Sequence, residues 1–180
     1  MTARPLIVVI TGSECTGKTT LASELAARFG VPVSPEYVRE YLDGTTTALG
    51  ASDVPAIARG QIRIEDEAAR LASRLVIKDT DLVSTVVYSR HYYGECPSWI
   101  ADAAKARLGD VYLLLHPDVP WMADGLQRDR PELRDHMHAL FDRELQALGT
   151  RVVAVTGSWD VRRSTAIAAV EQALAPALRE

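Results

Sequence analysis

The chain of 180 residues is poor in cysteine, in aromatic side chains and in excess positive charge. Its two cysteines, Cys15 and Cys96, are far apart and form no CxxC pair, so a zinc site of that type is not expected. The net charge of −4 gives no support for a nucleic-acid or anionic-membrane partner that is bound through bulk charge.

Long apolar runs are also missing. The run at residues 6–10 is far too short to span a bilayer, and Gly12 ends it. No secretory signal pattern precedes this run. Together with the few cysteines, this favours a cytoplasmic location with neither a membrane nor a nucleic acid as partner. The pattern favours no particular oligomeric state.

The chain does have an alternation of short β-branched runs with longer helical stretches, and 47% of its residues are apolar. Five strands, each followed by a helix, predict an α/β fold: a three-layer α/β/α sandwich with a five-stranded parallel sheet, in a single domain over residues 1–180. The predicted strands are at 6–10, 31–34, 75–77 running into Asp79, 111–115 and 152–155. A short helix is predicted at 35–42, and longer helices are predicted at 53–73, 81–93, 132–148 and 160–178. Ligands of such sheets bind where the strands end.

The most specific motif is G-S-E-C-T-G-K-T at residues 12–19, between the first strand and a helix. In this phosphate-loop pattern, backbone N–H groups and a helix N-terminus surround phosphate oxygens. Lys18 supplies positive charge for the β- and γ-phosphates, and the Thr19 hydroxyl is placed to bind Mg²⁺. The motif predicts that ATP and Mg²⁺ bind here. The predicted nucleotide-binding residues are Gly12, Ser13, Glu14, Cys15, Thr16, Gly17, Lys18, Thr19 and Thr20.

Cys15 has two interpretations: a small residue that fits the loop, or a thiol acidified by the donors around it. Carboxylates follow two other predicted strands. Asp79 ends the third strand, the usual place for a group that holds Mg²⁺. Asp81 either contacts the substrate or caps the next helix.

Glu36 follows the second predicted strand. It is placed either to accept the proton of an attacking hydroxyl or only to satisfy the dipole of a short helix. Arg39 lies three residues further on, on the same helical face, and is a candidate to steer an anionic group. The sequence therefore predicts an acidic acceptor side beside the phosphate loop.

A basic segment at residues 121–134 is expected to form a lid near the same edge. Arg128 and Arg130 are the candidates to stabilise the charge that develops in phosphoryl transfer. The alternative is a solvated loop with internal Arg–Asp pairs. Tyr92 and Trp121 are candidates to stack on a flat substrate ring, with packing at a helix seam as the alternative.

Four segments in this order resemble the ribosylnicotinamide kinase domain of NadR-type NAD-biosynthesis proteins: G-S-E-C-T-G-K-T-T-L-A, P-E-Y-V-R-E-Y, D-T-D at 79–81 and P-W-M-A-D-G-L at 120–126. The resemblance runs from Leu6 to the last helix. It implies a P-loop fold of the nucleoside/nucleotide-kinase type. It also implies transfer of the ATP γ-phosphate to the 5′-hydroxyl of nicotinamide riboside, giving nicotinamide mononucleotide.

On this resemblance, Lys18 and Thr19 match nucleotide and Mg²⁺ positions, and Glu36 matches an acidic position on the substrate side, as do residues 79–81. Gly157 and Trp159 fall where such kinases hold adenine. The arginine that often follows D-G-L in the family is replaced by Gln127, which leaves open which arginine of the lid acts.

Full-length NadR proteins also carry a helix-turn-helix and a nucleotidylyltransferase domain. We expect neither in 180 residues without an H-x-G-H motif, and therefore no repressor role. The sequence predicts an ATP- and Mg²⁺-dependent kinase whose small-molecule substrate is a riboside. The alternatives are a kinase of another nucleoside or small alcohol, and a non-catalytic ATP-binding sensor.

Overall fold

The computed structural model describes residues 4–44, 48–121 and 131–175. Within these residues, five strands and seven helices follow one another along the chain. The strands are β1 (Leu6–Thr11), β2 (Val33–Ser34), β3 (Leu75–Asp79), β4 (Val111–Leu115) and β5 (Val152–Val155). The helices are α1 (Lys18–Phe29), α2 (Tyr37–Asp43), α3 (Val54–Leu71), α4 (Leu82–Tyr93), α5 (Ser98–Ala106), α6 (Arg134–Ala147) and α7 (Trp159–Leu174).

All five strands are parallel and lie in the order β2-β3-β1-β4-β5. The central strand β1 pairs with β3 so that Ile10 lies beside Asp79. The connection after β1 runs to β2 on one side, whereas the connection after β3 runs to β4 on the other side. The carboxyl ends of β1 and β3 therefore form the switch point at which parallel sheets bind ligands. The topology thus brings the segment after β1 next to the segment after β3.

Helices cover both faces of the sheet. Val8 and Ile10 of β1 pack against α1 and α7, whereas Val9 between them packs in a second core with α3, α4, α5 and α6. The predicted three-layer α/β/α sandwich with a five-stranded parallel sheet is confirmed. Among the described helices, none combines the length and the apolar character needed to cross a bilayer.

Some predicted ends of elements are wrong. Strand β2 starts at Val33 instead of Val31, because the Val31 N–H donates to the Ala26 carbonyl and so closes the end of α1. Helix α2 starts at Tyr37 rather than at Pro35. Helix α3 ends at Leu71, and helix α7 starts one residue earlier than predicted, at Trp159.

Candidate active site

The loop at residues 12–19 is shaped by glycines that no other residue replaces without strain. Gly12 and Gly17 have φ of +132° and +87°. A Cβ on Gly12 would lie 2.7 Å from the carbonyl oxygen of Leu115, and one on Gly17 would lie 2.8 Å from Cζ3 of Trp159. The loop is therefore pressed against β4 on one side and against an indole ring on the other.

Hydrogen bonds inside the loop hold its cation in place. The Lys18 ammonium donates to the Ser13 carbonyl at 2.8 Å, and the Thr16 hydroxyl donates to the same oxygen at 3.0 Å. Ser13 is buried, and its hydroxyl has no hydrogen-bond partner among the described residues. An unpartnered polar group in a phosphate loop fits a site that is completed by a ligand. Thr20, predicted to reach the α-phosphate, is exposed in the first turn of α1.

The predicted magnesium ligands lie side by side. The hydroxyl of Thr19, in the first turn of α1, donates to Oδ2 of Asp79 at the end of β3, at 2.7 Å. Asp79 is buried, and its Oδ1 has no hydrogen-bond partner among the described residues. A carboxylate and a hydroxyl form an oxygen donor set that fits Mg²⁺. The described residues contain no cluster of three or more His, Cys, Asp or Glu able to hold a metal, so phosphate oxygens and water would have to complete the coordination.

Glu36 lies at the N-cap of α2, in extended backbone geometry. Its side chain makes no capping hydrogen bond and instead accepts from Nε of Arg39 at 3.2 Å. The carboxylate still lies at the N-terminus of α2, so the helix-dipole alternative stands beside the role of proton acceptor. Burial raises the pKa of Glu36, Lys18 and Arg39 partly oppose that increase, and Asp79 adds to it. A carboxyl group with a raised pKa is suited to take a proton near neutral pH.

A cavity lies between the phosphate loop, α2, α3 and α4. Its polar lining includes Glu14, Cys15, Lys18, Glu36, Arg39, Gln61, Thr80, Ser84, Thr85 and Ser89. Its apolar and aromatic lining includes Val38, Leu42, Leu49, Val54, Ile57, Tyr88, Tyr92 and Tyr93. The cavity therefore has a charged end at the phosphate loop and an apolar wall, a combination typical of small-molecule sites.

Two of the three tyrosines that line the cavity stack on each other. The rings of Tyr88 and Tyr92 stack with centroids 5.9 Å apart and an angle of 7° between their planes. Tyr88 also packs edge-on against Phe141, at 5.5 Å. Tyr88 is thus anchored in the core, as the packing alternative has it. Both rings line the cavity, and stacking of Tyr92 on a substrate ring stays a prediction.

Asp81 is a helix cap, which corrects the expectation that it contacts substrate. Its carboxylate accepts from the backbone N–H of Val83 at 3.0 Å and from the Tyr112 hydroxyl at 2.6 Å, and it does not line the cavity. Burial, with a contribution from Glu65, raises the pKa of Asp81 to about 6, although its hydrogen bonds and Lys78 oppose the increase. Because both of its oxygens are engaged in the protein interior, the capping alternative is the observed one.

The predicted lid is described only at its ends. Arg128 and Arg130 lie outside the described residues, and their roles stay predictions from the sequence. Trp121 is not among the residues that line the cavity, so the geometry does not support its predicted stacking role. Its ring lies 5.8 Å from the guanidinium of Arg134. Arg134 in turn donates to the carbonyl of Cys15 at 3.1 Å and so links this segment to the phosphate loop.

The turn after β5 reaches the phosphate loop from the other side. The ring of Trp159 covers Gly17, and its indole N–H donates to Glu24 of α1 at 3.2 Å. The backbone N–H of Gly157 donates to the Asp118 carboxylate at 2.7 Å. Trp159 therefore lies beside the phosphate loop, and the adenine-binding role of Gly157 and Trp159 stays a prediction.

Arg162 joins these parts, and sequence reasoning missed it. Its side chain is fully buried and donates to the carbonyls of Gly157, Thr16 and His116 and to the Asp118 carboxylate. A guanidinium suits this position because its five N–H donors point in fixed, separate directions. An isolated arginine near the start of a charged helix carries no pattern that would have revealed this role.

The model of an AAA domain family, AAA_28, matches residues 7–162. The chain belongs to this family. Among solved structures, a crystal structure of NadR in complex with NR has a TM-score of 0.79 at 27% identity, and the match covers 93% of this chain and 51% of that chain. A thymidylate kinase from Ehrlichia chaffeensis has a TM-score of 0.65 at 15% identity, over 94% of this chain and 98% of that one, and at this identity it shows the fold alone.

Two curated relatives are similar in sequence. The trifunctional NAD biosynthesis/regulator protein NadR of Escherichia coli (strain K12) is 35% identical over 124 residues, which are 67% of this chain and 30% of that protein. NadR of Salmonella typhimurium gives the same values. The chain thus spans about a third of the length of these relatives. The predicted resemblance to NadR-type proteins and the P-loop kinase type of fold are confirmed.

Helix α3 contains buried polar residues that the sequence pattern could have revealed. Ile57, Gln61, Ile64, Glu65 and Ala68 follow one another at spacings of four, three, one and three, so they share the inward face of α3. Gln61 and Glu65 are the polar members of this face, and both are buried. Polar side chains at inward helical positions need partners, and that requirement was the available signal.

Proposed function

We propose that this AAA domain is an ATP- and Mg²⁺-dependent kinase that phosphorylates the 5′-hydroxyl of nicotinamide riboside to nicotinamide mononucleotide. The observation that carries the proposal is that Lys18 of the phosphate loop and the Glu36 carboxyl line one cavity. The similarity to NadR supports the choice of acceptor, since NadR has been crystallised with NR, the usual abbreviation of nicotinamide riboside, and also with NAD and AMP-PNP.

On the donor side, backbone N–H groups of residues 12–19 bind the phosphates of ATP, and the Lys18 ammonium leaves the Ser13 carbonyl to contact the β- and γ-phosphates. Thr19 and Asp79 would hold Mg²⁺, which supplies neutralisation of the phosphate charge. Gly157 and Trp159 hold the adenine end of the nucleotide. Arg162 keeps this turn and the loop in register through Gly157 and Thr16.

On the acceptor side, the Glu36 carboxylate accepts the proton of the 5′-hydroxyl while the hydroxyl oxygen bonds to the γ-phosphorus and the bond from that phosphorus to the β-γ bridging oxygen breaks. ADP leaves with the electron pair of that bond, and the proton remains on Glu36 until solvent removes it. Arg39 orients the carboxylate through the hydrogen bond at 3.2 Å. Tyr92 packs against the flat ring of the riboside, and the apolar wall keeps competing water away from the phosphorus.

The proposal includes the organisation and location of the chain. Residues 1–180 form a single kinase domain, the segment at 121–134 acts as its lid through Arg128 or Arg130, and the protein works in the cytoplasm on a small molecule. The charge of −4 and the absence of a bulk basic excess are consistent with a riboside as substrate rather than a nucleic acid.

The direct test is phosphoryl transfer from radiolabelled ATP to a panel of acceptors: nicotinamide riboside, adenosine, thymidine, glycerol and water alone. We expect nicotinamide mononucleotide to form well above the rate of ATP hydrolysis. Transfer to another acceptor but not to nicotinamide riboside would replace the acceptor. Binding of ATP without transfer to any acceptor would overturn the kinase proposal in favour of an ATP-binding sensor.

A further inference from the structure

Helix α3 contributes one polar side chain that is hydrogen-bonded to the backbone beside Glu36. The Oε1 atom of Gln61 accepts from the backbone N–H of Tyr37 at 2.9 Å. That N–H belongs to the peptide bond that joins Glu36 to Tyr37, at the N-cap of α2. Gln61 is 3% exposed and lines the cavity. It therefore contacts the backbone from which the Glu36 carboxyl extends.

The orientation of the Gln61 amide is fixed by a buried ion pair. Its Nε2 donates to Oε1 of Glu65 at 3.1 Å, and Oε2 of Glu65 accepts from the Lys78 ammonium at 2.7 Å. An ionised carboxylate only accepts hydrogen bonds, so the amide must turn its nitrogen toward Glu65 and its oxygen toward Tyr37. Lys78 precedes Asp79 on β3, and a chain of hydrogen bonds thus runs from the strand of the magnesium ligand to the peptide of Glu36.

Stability alone is a weak reason for this ion pair. The side chains of Lys78 and Glu65 are 3% and 1% exposed, and a buried ion pair often contributes no more to stability than apolar residues of the same size. Directional hydrogen bonds do contribute a defined geometry. The pair is well suited to hold the amide of Gln61 in one orientation.

Close packing next to Gln61 also holds the start of α2 against α3. The ring of Tyr37 lies directly on Gly60, where an added Cβ would be 1.9 Å from Cε1 of the ring. Helix α3 therefore approaches the start of α2 as closely as a glycine allows. The Tyr37 ring and the Tyr37 N–H are both held by adjacent residues of α3.

We propose that Gln61 is a positioning residue for phosphoryl transfer, which holds the peptide between Glu36 and Tyr37 so that the Glu36 carboxyl faces the Lys18 end of the cavity. The proposal rests on the function proposed above, because it acts through Glu36 as the general base. The ion pair of Lys78 and Glu65 sets the direction of the Gln61 amide.

Three variants test the proposal. Gln61→Met keeps the length of the side chain and removes the acceptor for the Tyr37 N–H. The exchange Gln61→Glu with Glu65→Gln keeps the net charge. The carboxylate at position 61 then accepts from the Tyr37 N–H and from the amide at position 65, and the oxygen of that amide accepts from Lys78. Gln146→Met is the control, since Gln146 donates to Asp142 four residues away on an exposed part of α6.

We expect Gln61→Met to lower kcat by about 10- to 100-fold, since a displaced catalytic group typically costs that much. The KM for ATP stays within about 2-fold, because Lys18 and Thr19 lie on other elements. Amide exchange at Tyr37, followed by NMR without substrate, accelerates by about 10-fold for the lost hydrogen bond. The exchanged pair recovers most of kcat and of the Tyr37 protection, and Gln146→Met changes neither.

Several results would overturn the proposal. One is unchanged kcat or unchanged Tyr37 exchange in Gln61→Met, which is decisive even if the exchanged pair does not fold. Another is an exchanged pair that restores the Tyr37 protection and leaves kcat low. If the wild-type chain phosphorylates no acceptor, the proposed function fails, whereas Tyr37 exchange still reports separately whether Gln61 holds this peptide.

Discussion

The two halves of the site are built in different ways. The phosphate side is one contiguous stretch, residues 12–19, whose shape depends on two glycines and on backbone groups. The acceptor side is assembled from side chains of α2, α3 and α4 together with part of the phosphate loop. A contiguous loop carries its chemistry in a local pattern, whereas an assembled cavity depends on how helices pack.

This difference has a consequence for substitutions. Changes in the loop should impair every use of ATP, including slow hydrolysis by water. Changes on the acceptor side should impair transfer to the acceptor while leaving ATP binding intact. Substitutions at four residues sharpen or break this comparison.

The largest effect is expected for Lys18→Ala. Loss of a cation that stabilises the charge developing in phosphoryl transfer costs about 10³-fold or more in kcat. Because Lys18 serves the phosphates, both riboside phosphorylation and background ATP hydrolysis should fall. Steady-state release of ADP, with and without acceptor, measures both.

The control for Lys18→Ala is Lys105→Ala, which removes an exposed lysine of α5. We expect it to leave both rates unchanged. A Lys18→Ala variant that loses transfer but keeps hydrolysis would place Lys18 on the acceptor side and would break the comparison.

Glu36→Gln should lower kcat by about 10²- to 10³-fold, the usual range for loss of a general base, with ATP affinity retained. Burial raises the pKa of Glu36, so the wild-type kcat should fall as the pH decreases through a value above the ordinary glutamate pKa. This acid limb should disappear in Glu36→Gln. A pH series of kcat, with ATP binding measured by calorimetry, checks both statements.

The same substitution should not cost stability at alkaline pH. A folded-state pKa above the unfolded one gives stability that is complete at low pH and is lost as pH rises through the folded pKa. The melting temperature of Glu36→Gln at pH 8 should therefore equal or exceed that of the wild type. Glu40→Gln, an exposed change on the same helix, is the control, and unchanged kcat in Glu36→Gln would exclude Glu36 as the base.

Arg162→Met tests whether the buried guanidinium stabilises the phosphate loop. It should lower the free energy of unfolding by about 3 kcal/mol, because the carbonyls of Thr16, His116 and Gly157 lose the charged donor that the buried guanidinium supplies. The KM for ATP should rise, and the KM for the acceptor should stay the same. Urea unfolding and steady-state kinetics give these values.

The neighbouring variant Arg163→Met removes a surface ion pair with Glu24 and is expected to cost much less stability than Arg162→Met. Equal costs for Arg162→Met and Arg163→Met would contradict the role given to the buried guanidinium. A change in acceptor KM alone would move Arg162 to the other half of the site.

The smallest effects are expected at Asp81. Asp81→Ala should cost about 2 kcal/mol, because it removes a helix cap and the acceptor of the buried Tyr112 hydroxyl. Asp81→Asn keeps an oxygen acceptor for the cap and should cost less. It also removes the loss of stability that accompanies ionisation as the pH rises through about 6. Neither change should alter the acceptor KM, and an increase in that KM for Asp81→Asn would restore the rejected substrate contact.

Much of the fold was predictable because most of its strands have a recognisable apolar pattern in the sequence. The runs at β1 and β4 are continuously apolar, as strands covered on both faces must be, and both were placed to within one residue. The two-residue strand β2 was placed too early. Nothing local shows that the N–H of Val31 is already engaged by the end of α1.

The site residues show the same contrast between local sequence patterns and contacts that are distant in the chain. The partnership of Thr19 with Asp79 was predictable because Thr19 ends the phosphate-loop motif that follows the first strand and Asp79 ends the third strand, at the same edge of a parallel sheet. The cap formed by Asp81 was left open, since the decisive partner, Tyr112, is 31 positions away on β4. Gln61 and Arg162 gained their roles only from contacts over long distances in the chain.

The sequence by itself determined that the chain folds as a parallel α/β sandwich and that residues 12–19 form a phosphate loop. Apolar periodicity and glycine spacing involve residues that are close together in the chain, so the structures they favour can be predicted locally. Only the tertiary structure decided that Asp81 is a cap, that Arg162 joins three loops and that Gln61 holds the peptide of Glu36. Those roles depend on which buried polar groups meet, and that is set by the packing of helices on the sheet.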